Sequence, residues 1–353
     1  ALAQRWAGIL IFRFLGGLAV GASSVIGPMY IAEIAPAHKR GRLVALFQLN
    51  VVTGILLAFL SNYIIALLAE DTSWRWMLGI MSVPAGIFFG LLFLIPETPR
   101  WLMIKKEKTR AAVILEKLGE TNINEQIAVI EDSITSERHI KTEKLFIAKL
   151  KFPIFLAFLI AFFNQFSGIN AIMYYAPRIF EMAGLDRTSS LFQSVSVGFT
   201  NLVFTIIAML IIDRVGRKKL LLVGSLGMVV MLSLVSLGFL KENFGGPAVL
   251  AGLVGFIAFF ASSQGAVIWV FISEIFPNKV RAKGQALGSF SHWLFAALIS
   301  WVFPVIVSGK SGSTGIAFSF FAAMMLLQFF VVYFVFPETK GKGLEQIQSD
   351  MGL

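Results

Sequence analysis

Amide side chains lie within an otherwise apolar stretch of the chain, in the segment NQFSGIN. Asn164, Gln165, Ser167 and Asn170 cluster around Gly168, which could locally loosen a helix. An amide both donates and accepts hydrogen bonds, so a group of amides can hold a neutral molecule that is rich in hydroxyl groups. The alternative is that these amides link neighbouring helices, each contributing about 1 kcal/mol or less.

Further uncharged polar and aromatic side chains occur in other apolar stretches. An aromatic ring can stack on the apolar face of a ligand, although packing is the alternative role for each tryptophan. One member of the set is a histidine that could titrate. The set comprises Gln48, Asn201, Gln264, Trp269, His292 and Trp293.

An acid, a proline and a base recur in the segments YIAEIAPAHKRG and FISEIFPNKVRAKG. Glu33 and Arg40 belong to the first segment, and Glu274 and Arg281 to the second. Further charges of both signs surround Gly216, namely Asp213, Arg214, Arg217 and Lys218. They form either a solvated rim, in which each exposed pair contributes about 0–1 kcal/mol, or a latch that pairs when one side of the protein is shut.

Arg13 is a cation inside the first apolar stretch. A cation at such a depth either extends its side chain to the membrane surface or pairs with an acid. Glu33 and Glu274 lie at the ends of their predicted spans, and the sequence offers no Asp or Glu in the interior of a predicted span as that partner. Both interpretations stay open.

Composition places all these residues in a membrane protein. The 353 residues are 57% hydrophobic and 14% charged, with a mean hydropathy of +0.80, whereas a soluble domain is about one-quarter charged. Apolar runs of about 20 residues can cross about 30 Å of hydrocarbon as helices, and they are too long and uniform for barrel strands. We predict nine spans, at 8–35, 43–69, 76–95, 152–176, 190–212, 219–240, 247–276, 284–308 and 313–336.

The net charge of +10 does not indicate nucleic-acid binding, because the charges lie in the loops between apolar runs. The chain has no cysteine and three scattered histidines, so we expect no disulfide, no metal centre and no cofactor. The charged segment 100–150 has helical periodicity and is predicted to form amphipathic helices outside the membrane.

The distribution of basic residues predicts an orientation. If the loop after the first span is cytoplasmic and the sides alternate, 23 of the 30 Lys and Arg residues lie inside and six outside. Positive residues favour the cytoplasmic side. We therefore expect residue 1 outside and the tail inside.

An internal repeat has an offset of 241 residues. It pairs Glu33 with Glu274, Arg40 with Arg281, and the tripeptide at 96–98 with that at 337–339. Spans one to three thus correspond to spans seven to nine, and paired repeats are typical of transporters. Since spans four to six then lack a counterpart, we expect three further spans before residue 1, so that this chain is truncated at its N-terminus.

Six motifs together carry a resemblance to a family. RFLGGLAVGASSVIGPMYIAEIAPAHKRGRL, PETPRWL, NQFSGINAIMYYAP, DRVGRKK, IWVFISEIFPNKVRAKG and PETKGKGLEQI resemble, in order and spacing, the sugar porters of the major facilitator superfamily, the bacterial xylose and glucose transporters among them. The resemblance implies an all-α membrane fold, with nine of twelve transmembrane helices present and a cytoplasmic helical insert. It also implies four parts: 1–99 as the rest of the N-terminal half, 100–150 as the linker, 151–336 as the C-terminal six-helix half, and 337–353 as a cytoplasmic tail.

The resemblance also implies roles for individual residues. Family sugar-contacting positions fall on Gln48, Asn164, Gln165, Asn170 and Trp269, with further pocket positions at Asn201 and Trp293. Gating or coupling positions fall on Arg13, Glu33, Arg40, Tyr174, Tyr175, Asp213, Arg217, Glu274 and Arg281. In proton-coupled members, an aspartate in the first span works with an arginine at the position of Arg13.

Three departures from the family bear on which sugar binds. Asn164 stands where members often have glutamine, Ala261 where some have an acid, and His292 where others have an amide.

The resemblance implies a non-enzymatic function, namely transport of a hexose or pentose by alternating access. We expect proton-coupled symport, by a monomer in the bacterial inner membrane, with the proton as coupling ion and no nucleic-acid partner. The alternatives are a facilitative uniporter and a sugar sensor on the same fold. Only 17 residues follow Phe336, which disfavours a sensor with a long signalling tail.

Overall fold

The computed structural model is almost entirely helical in the part of the chain that it describes. That part comprises residues 5–35, 40–69, 73–119, 122–139, 145–241, 245–277, 280–308, 312–341, 346–347 and 351. The first helices are α1 (Trp6–Ile34), α2 (Arg40–Leu68), α3 (Ser73–Gly79), α4 (Ser82–Leu92), α5 (Pro99–Ile104), α6 (Lys108–Lys117) and α7 (Ile123–His139).

The rest of the chain begins with a 3-10 helix and continues through eight α-helices. These are the 3-10 helix Ala148–Leu150, α8 (Lys151–Phe166), α9 (Ile169–Met182), α10 (Arg187–Val215), α11 (Arg217–Leu240), α12 (Gly245–Ser262), α13 (Gln264–Ile275), α14 (Arg281–Val307) and α15 (Ser313–Val335).

The nine predicted spans are confirmed within the described residues. Nine segments are long and apolar enough to cross a membrane: Trp6–Ile31, Leu46–Leu68, Ser73–Leu92, Ala148–Met182, Arg187–Val215, Arg217–Leu240, Pro247–Ile275, Arg281–Val307 and Ser313–Val335. Three of them contain a break between two helices, at α3–α4, α8–α9 and α12–α13. Broken helices are tolerated in membranes where protein or a cavity satisfies the backbone.

The chain forms two compact units, which divide at residues within α2. One contains residues 1–54 and 64–141, and the other residues 55–63 and 142–353. In the first unit, α5 to α7 pack around Leu102, Met103 and Ala111. Thr98 caps α5 by accepting a hydrogen bond from the Trp101 amide at 3.2 Å. The charged segment therefore forms short helices as expected, while the four-part division remains a prediction.

The second unit is a closely packed bundle. Its helix α11 packs against α12 and α15, α8 against α14, and α10 against α9 and α12. Glycine permits close approach between helices, because a Cβ added at Gly227 would lie 2.2 Å from the ring of Phe259. Small residues of this kind let helix backbones approach each other in a membrane, where dispersion rather than water exclusion favours packing.

Gly168 separates α8 from α9 in the middle of a span. Its φ of 85° lies in the left-handed region that favours glycine. An added Cβ would also lie 2.5 Å from the ring of Phe321. The sequence predicted a locally loosened helix at Gly168, and the structure shows that α8 ends there and α9 begins. The last turn of α8 and the first turn of α9 are therefore adjacent in the middle of the span.

Candidate functional site

The last turn of α8 carries an interlinked set of buried polar groups. Asn164 and Gln165 are 2% and 0% exposed. Gln165 Nε2 donates to Asn164 Oδ1 at 2.9 Å, and Ser167 Oγ donates to the Asn164 carbonyl at 2.6 Å. The Ile169 amide then donates to Ser167 Oγ at 3.3 Å. These bonds satisfy backbone groups freed by the break and fix the orientation of the two amides.

His292 on α14 completes this set from across the bundle. Gln165 Nε2 lies 3.2 and 3.3 Å from the two ring nitrogens of His292, so its second hydrogen can be donated to the imidazole. The imidazole lies between two indole rings, with centroid distances of 5.0 Å to Trp269 and 5.4 Å to Trp293. Helices α8, α13 and α14 thus bring together four of the predicted sugar-contacting and pocket residues around His292.

The carbonyl oxygen of the Gln165 amide is the unused group of the cluster. Oε1 is buried and has no hydrogen-bond partner among the residues that the structure describes. A buried acceptor without a partner costs about 1–3 kcal/mol. Both hydrogens of the same amide are directed at Asn164 and His292, so this oxygen is held in place as an acceptor for an incoming hydroxyl group.

The tryptophans combine packing with exposed ring surface. Trp269 is 38% exposed and Trp293 is 43% exposed, although both contact His292. An indole that is fixed on one side and open on the other can stack on an apolar ligand face. The cluster therefore offers the two kinds of surface that a hydroxyl-rich ring compound requires.

The other predicted sugar-contacting residues are less closely joined to this cluster. Asn170 lies half-buried in the first turn of α9, and Asn201 lies buried on α10. Gln48 lies half-buried on α2 in the first unit. Their membership of the site remains a prediction.

The two predicted gating tyrosines have different surroundings. Tyr175 on α9 donates its hydroxyl to the Ser300 carbonyl on α14 at 3.0 Å, and its ring packs on Phe303 at 5.6 Å. Tyr174 is 58% exposed. Tyr175 therefore joins α9 to α14, whereas the exposed Tyr174 has room to change its rotamer.

A second buried amide pair was only partly visible in the sequence. Gln264, directly after the α12–α13 break, donates to Oε1 of Gln328 on α15, and both side chains are buried. The sequence marked Gln264 as a polar residue in an apolar run but missed Gln328. Gln328 is the single glutamine of the 23-residue apolar helix α15, so its amide needs a hydrogen-bond partner. Only the fold shows that this partner is Gln264.

Three of the predicted gating charges meet at the end of the second unit where α11 begins. Arg217 donates to Asp213 Oδ1 and to Glu274 Oε1, both at 2.8 Å. Glu274 also accepts from Thr339 Oγ1 at 2.6 Å. This group, which we call the Arg217 cluster, also includes Glu338, which accepts from the backbone amides of Arg217 and Lys218 at 3.0 and 3.1 Å. The sequence used Thr339 and Glu338 only as markers of the repeat and missed their roles as partners.

The remaining predicted gating residues are not part of the Arg217 cluster. Two guanidinium nitrogens of Arg281, Nε and Nη2, are buried without a hydrogen-bond partner in the described part of the chain. Glu33 and Arg13 lie exposed on α1. Arg40 begins α2, and its side chain lies outside the described residues.

Comparison with known proteins identifies the family. The family model described as "Sugar (and other) transporter" matches residues 1–351. The chain belongs to this family of sugar transporters. It is similar to the D-xylose-proton symporter of Escherichia coli, with 36% identity over 96% of this chain and 71% of that protein. It is also 36% identical to the arabinose-proton symporter of Bacillus subtilis, over 99% of this chain and 76% of that protein.

Solved structures place this sugar transporter in the major facilitator fold. The inward-open xylose transporter XylE from E. coli matches with a TM-score of 0.84 and 34% identity, covering 96% of this chain and 72% of that one. The proton:xylose symporter XylE bound to 6-bromo-6-deoxy-D-glucose matches with a TM-score of 0.76. The expected family and fold class are confirmed: the protein is a multi-pass membrane transporter and not an enzyme.

Proposed function

We propose that this protein carries a monosaccharide across the bacterial inner membrane by alternating access, coupled to protons. One observation supports the substrate class most directly: the buried Gln165 amide has both hydrogens engaged, and its oxygen Oε1 has no partner among the described residues. A sugar hydroxyl that donates to this oxygen would satisfy it. A neutral polyol needs such acceptors and no counter-charge.

The surrounding residues supply the rest of the site in this proposal. Trp269 offers an open indole face for the C–H face of the sugar ring, and Trp293 extends that wall beyond His292. Asn164 holds the Gln165 amide and presents its own amide nitrogen. In this proposal Gln48, Asn170 and Asn201 donate or accept further hydrogen bonds to the sugar.

The charged residues regulate access to the site. The Arg217 cluster joins α11, α13 and the segment after α15 at the side that we assign to the cytoplasm from the distribution of Lys and Arg. Arg281 forms an ion pair with an acid when that side shuts, because its guanidinium has buried nitrogens without a partner among the described residues. Glu33 and Arg40 are the corresponding charges in the other copy of the repeat. Tyr174 and Tyr175 cover the site from the other side.

Proton coupling is supported by the relatives and by Arg13. The similar proteins of E. coli and B. subtilis are named proton symporters, for xylose and for arabinose. Arg13 lies within the first candidate span, and in our proposal it pairs with the carboxylate that carries the coupled proton. The second candidate is a uniporter, because the glucose facilitated diffusion protein of Zymomonas mobilis is also 33% identical over 96% of this chain.

Uptake by the full-length protein in proteoliposomes tests the proposal. Radiolabelled D-xylose, L-arabinose and D-glucose are offered separately, with and without an inward proton gradient. We expect at least one sugar to accumulate above its external concentration only when the gradient is present. Equal equilibration without the gradient would support the uniporter, and uptake of none of the three would contradict monosaccharide transport of this class.

A further inference from the structure

One aromatic ring of α14 contacts three rings of α8. The ring centroid of Phe295 lies 5.3 Å from that of Phe158, 5.3 Å from that of Phe162 and 5.8 Å from that of Phe166, at interplanar angles of 73°, 83° and 76°. Aromatic rings attract each other in such edge-to-face arrangements. The three α8 rings are spaced four residues apart and so follow one face of the helix. A single side chain of α14 therefore contacts about two turns of α8.

These ring contacts lie next to the hydrogen bond that joins the same two helices. Gln165 follows Phe162 by three residues on α8. On α14, Phe295 follows His292 by three residues. Residues three apart are neighbours on one side of a helix. The ring contacts and the hydrogen bond between Gln165 and His292 are therefore adjacent parts of the α8–α14 interface. We call Asn164, Gln165 and His292 the amide cluster.

The hydrogen bond between the two helices tolerates little separation. Gln165 Nε2 lies 3.2 and 3.3 Å from the two ring nitrogens of His292, at the upper end of the usual range for a nitrogen donor. At about 3.6 Å such a contact is no longer a hydrogen bond. If α14 moved away by a few tenths of an ångström, the second hydrogen of the Gln165 amide would lose its acceptor, and the amide could rotate.

Helix α8 also has aromatic support from α15. Phe166 contacts Phe320 on α15, with centroids 6.1 Å apart, and it stacks on Phe162 at 4.1 Å. Loss of the Phe295 ring would leave these contacts in place and would remove its three contacts with α8 at once. Because packing rather than exclusion of water holds helices together in a membrane, this loss would let α14 move away from α8.

We propose that Phe295 is a positioning residue of the sugar site: it keeps α14 at the distance from α8 at which His292 accepts a hydrogen bond from Gln165. This inference rests on the proposed role of the amide cluster in sugar binding. Phe295 acts through His292 and Gln165 rather than by contact with the sugar. Without its ring, the Gln165 amide can rotate, and Oε1 is no longer held as an acceptor for the sugar hydroxyl.

Equilibrium binding of the transported radiolabelled monosaccharide to the purified full chain tests the effect on the site. We expect Phe295→Ala to raise the Kd about fivefold, the lower end of the range for one lost hydrogen bond. Phe295→Leu retains apolar volume but loses the ring, so it should raise the Kd by a smaller factor, and it replaces Phe295→Ala if that variant does not fold.

A matched control removes an aromatic contact elsewhere in the same unit. Phe239 is half-buried like Phe295, and its ring stacks on that of Phe318 with centroids 5.9 Å apart. This contact joins α11 to α15, and neither helix carries a member of the amide cluster. Phe239→Ala should therefore leave the Kd unchanged.

A double-mutant cycle shows whether Phe295 acts through Gln165. In a Gln165→Leu background no amide is left to orient, so adding Phe295→Ala should not raise the Kd further. A second rise as large as that caused by Phe295→Ala alone would show that Phe295 supports sugar binding by another route, which would overturn the proposal.

Nitrogen-15 NMR of labelled histidine gives a readout that needs no sugar. The chain has three histidines, so comparison with His292→Asn assigns the signals of the His292 ring. We expect Phe295→Ala to shift these signals, because the hydrogen bond with Gln165 is lost. Phe239→Ala should leave them in place.

The combined outcomes separate this inference from the proposed function. If Gln165→Leu raises the Kd and a folded Phe295→Ala protein does not, the positioning role is overturned. Equal rises in Phe295→Ala and Phe239→Ala would indicate general loosening of the bundle and would also overturn it. If neither Gln165→Leu nor Phe295→Ala changes the Kd, the proposed function fails, whereas a shift of the His292 signals would still support the positioning of His292 by Phe295.

Discussion

Replacing Glu274 with glutamine removes one negative charge from the Arg217 cluster and leaves the side chain the same size. Glu274 accepts hydrogen bonds from Arg217 at 2.8 Å and from Thr339 at 2.6 Å. These bonds hold the ends of α11 and α13 to the segment after α15. We expect Glu274→Gln to favour the inward-open state, because we propose that an intact Arg217 cluster stabilises the state in which the cytoplasmic side is shut.

The free-energy cost of Glu274→Gln depends on which hydrogen bonds the variant retains. A hydrogen bond to a charged group contributes about 1.5–3 kcal/mol. In Glu274→Gln the new amide would retain an oxygen for Thr339, and Arg217 would retain Asp213, whose side chain is 81% exposed and therefore a weak partner. We expect a net cost of about 1–2 kcal/mol, which shifts a two-state equilibrium about 5- to 30-fold.

Cysteine accessibility measures this shift directly, because the chain has no cysteine of its own. One cysteine at Ser289 and another at Tyr174, introduced separately, report on opposite sides of the membrane. We expect faster labelling at Ser289 and slower labelling at Tyr174 in Glu274→Gln. The control Glu181→Gln breaks the exposed pair with Arg178 at 3.1 Å and should change neither rate. An unchanged balance of labelling in Glu274→Gln would refute the latch.

Three further predictions concern stability and are checked by thermal unfolding. Gly168→Ala should lower stability by more than Gly184→Ala. Both glycines have positive φ, but the Cβ added at Gly168 would lie 2.5 Å from the ring of Phe321, whereas a Cβ at Gly184 would meet open space. Equal losses of stability would contradict this reasoning. Gln264→Leu should cost about 1–3 kcal/mol by orphaning Gln328, and adding Gln328→Leu should recover part of it; no recovery would show that the pair is not the cause. Asp186 caps α10, and hydrogen bonds from the side chain and backbone of Ser189 lower the pKa of its carboxyl group. The cap therefore stabilises the folded protein fully above the unfolded pKa of about 3.9, and this stabilisation is lost as pH falls through the lower folded pKa. Asp186→Asn should reduce that acid sensitivity, and an unchanged pH profile would count against the cap.

The sequence determined the spans well because hydrocarbon imposes a strict rule. A helix must satisfy its own backbone in lipid, so long apolar runs identify spans without knowledge of their packing. The breaks within three of the spans were harder to predict from the sequence. Gly168 gave a signal because it lies among amides, whereas Gly79 and Pro84 beside the break at 80–81, and Gln264 and Gly265 beside the break at Ser263, were not interpreted as signs of a break.

Contacts between distant residues were beyond the reach of the sequence. Gln165 and His292 are 127 residues apart, and nothing in either segment shows that their helices meet. The pairing of Arg217 with Asp213 joins residues four apart across the turn at Gly216, but its pairing with Glu274 depends on how α11 and α13 pack. Residue types thus indicated the chemistry of the site, and only packing showed that Gln165 Oε1 is the oxygen of the amide cluster that lacks a partner within the described residues.

Equilibrium binding of radiolabelled monosaccharide to Gln165→Leu tests the central claim most directly. The account predicts that the Kd of the transported sugar rises about 5- to 30-fold, because a buried hydrogen bond worth about 1–2 kcal/mol is lost. The control Gln285→Leu makes the same change at an exposed position on α14 and should leave the Kd unchanged. An unaltered Kd in a folded Gln165→Leu protein would contradict the assignment of this amide cluster as the sugar site.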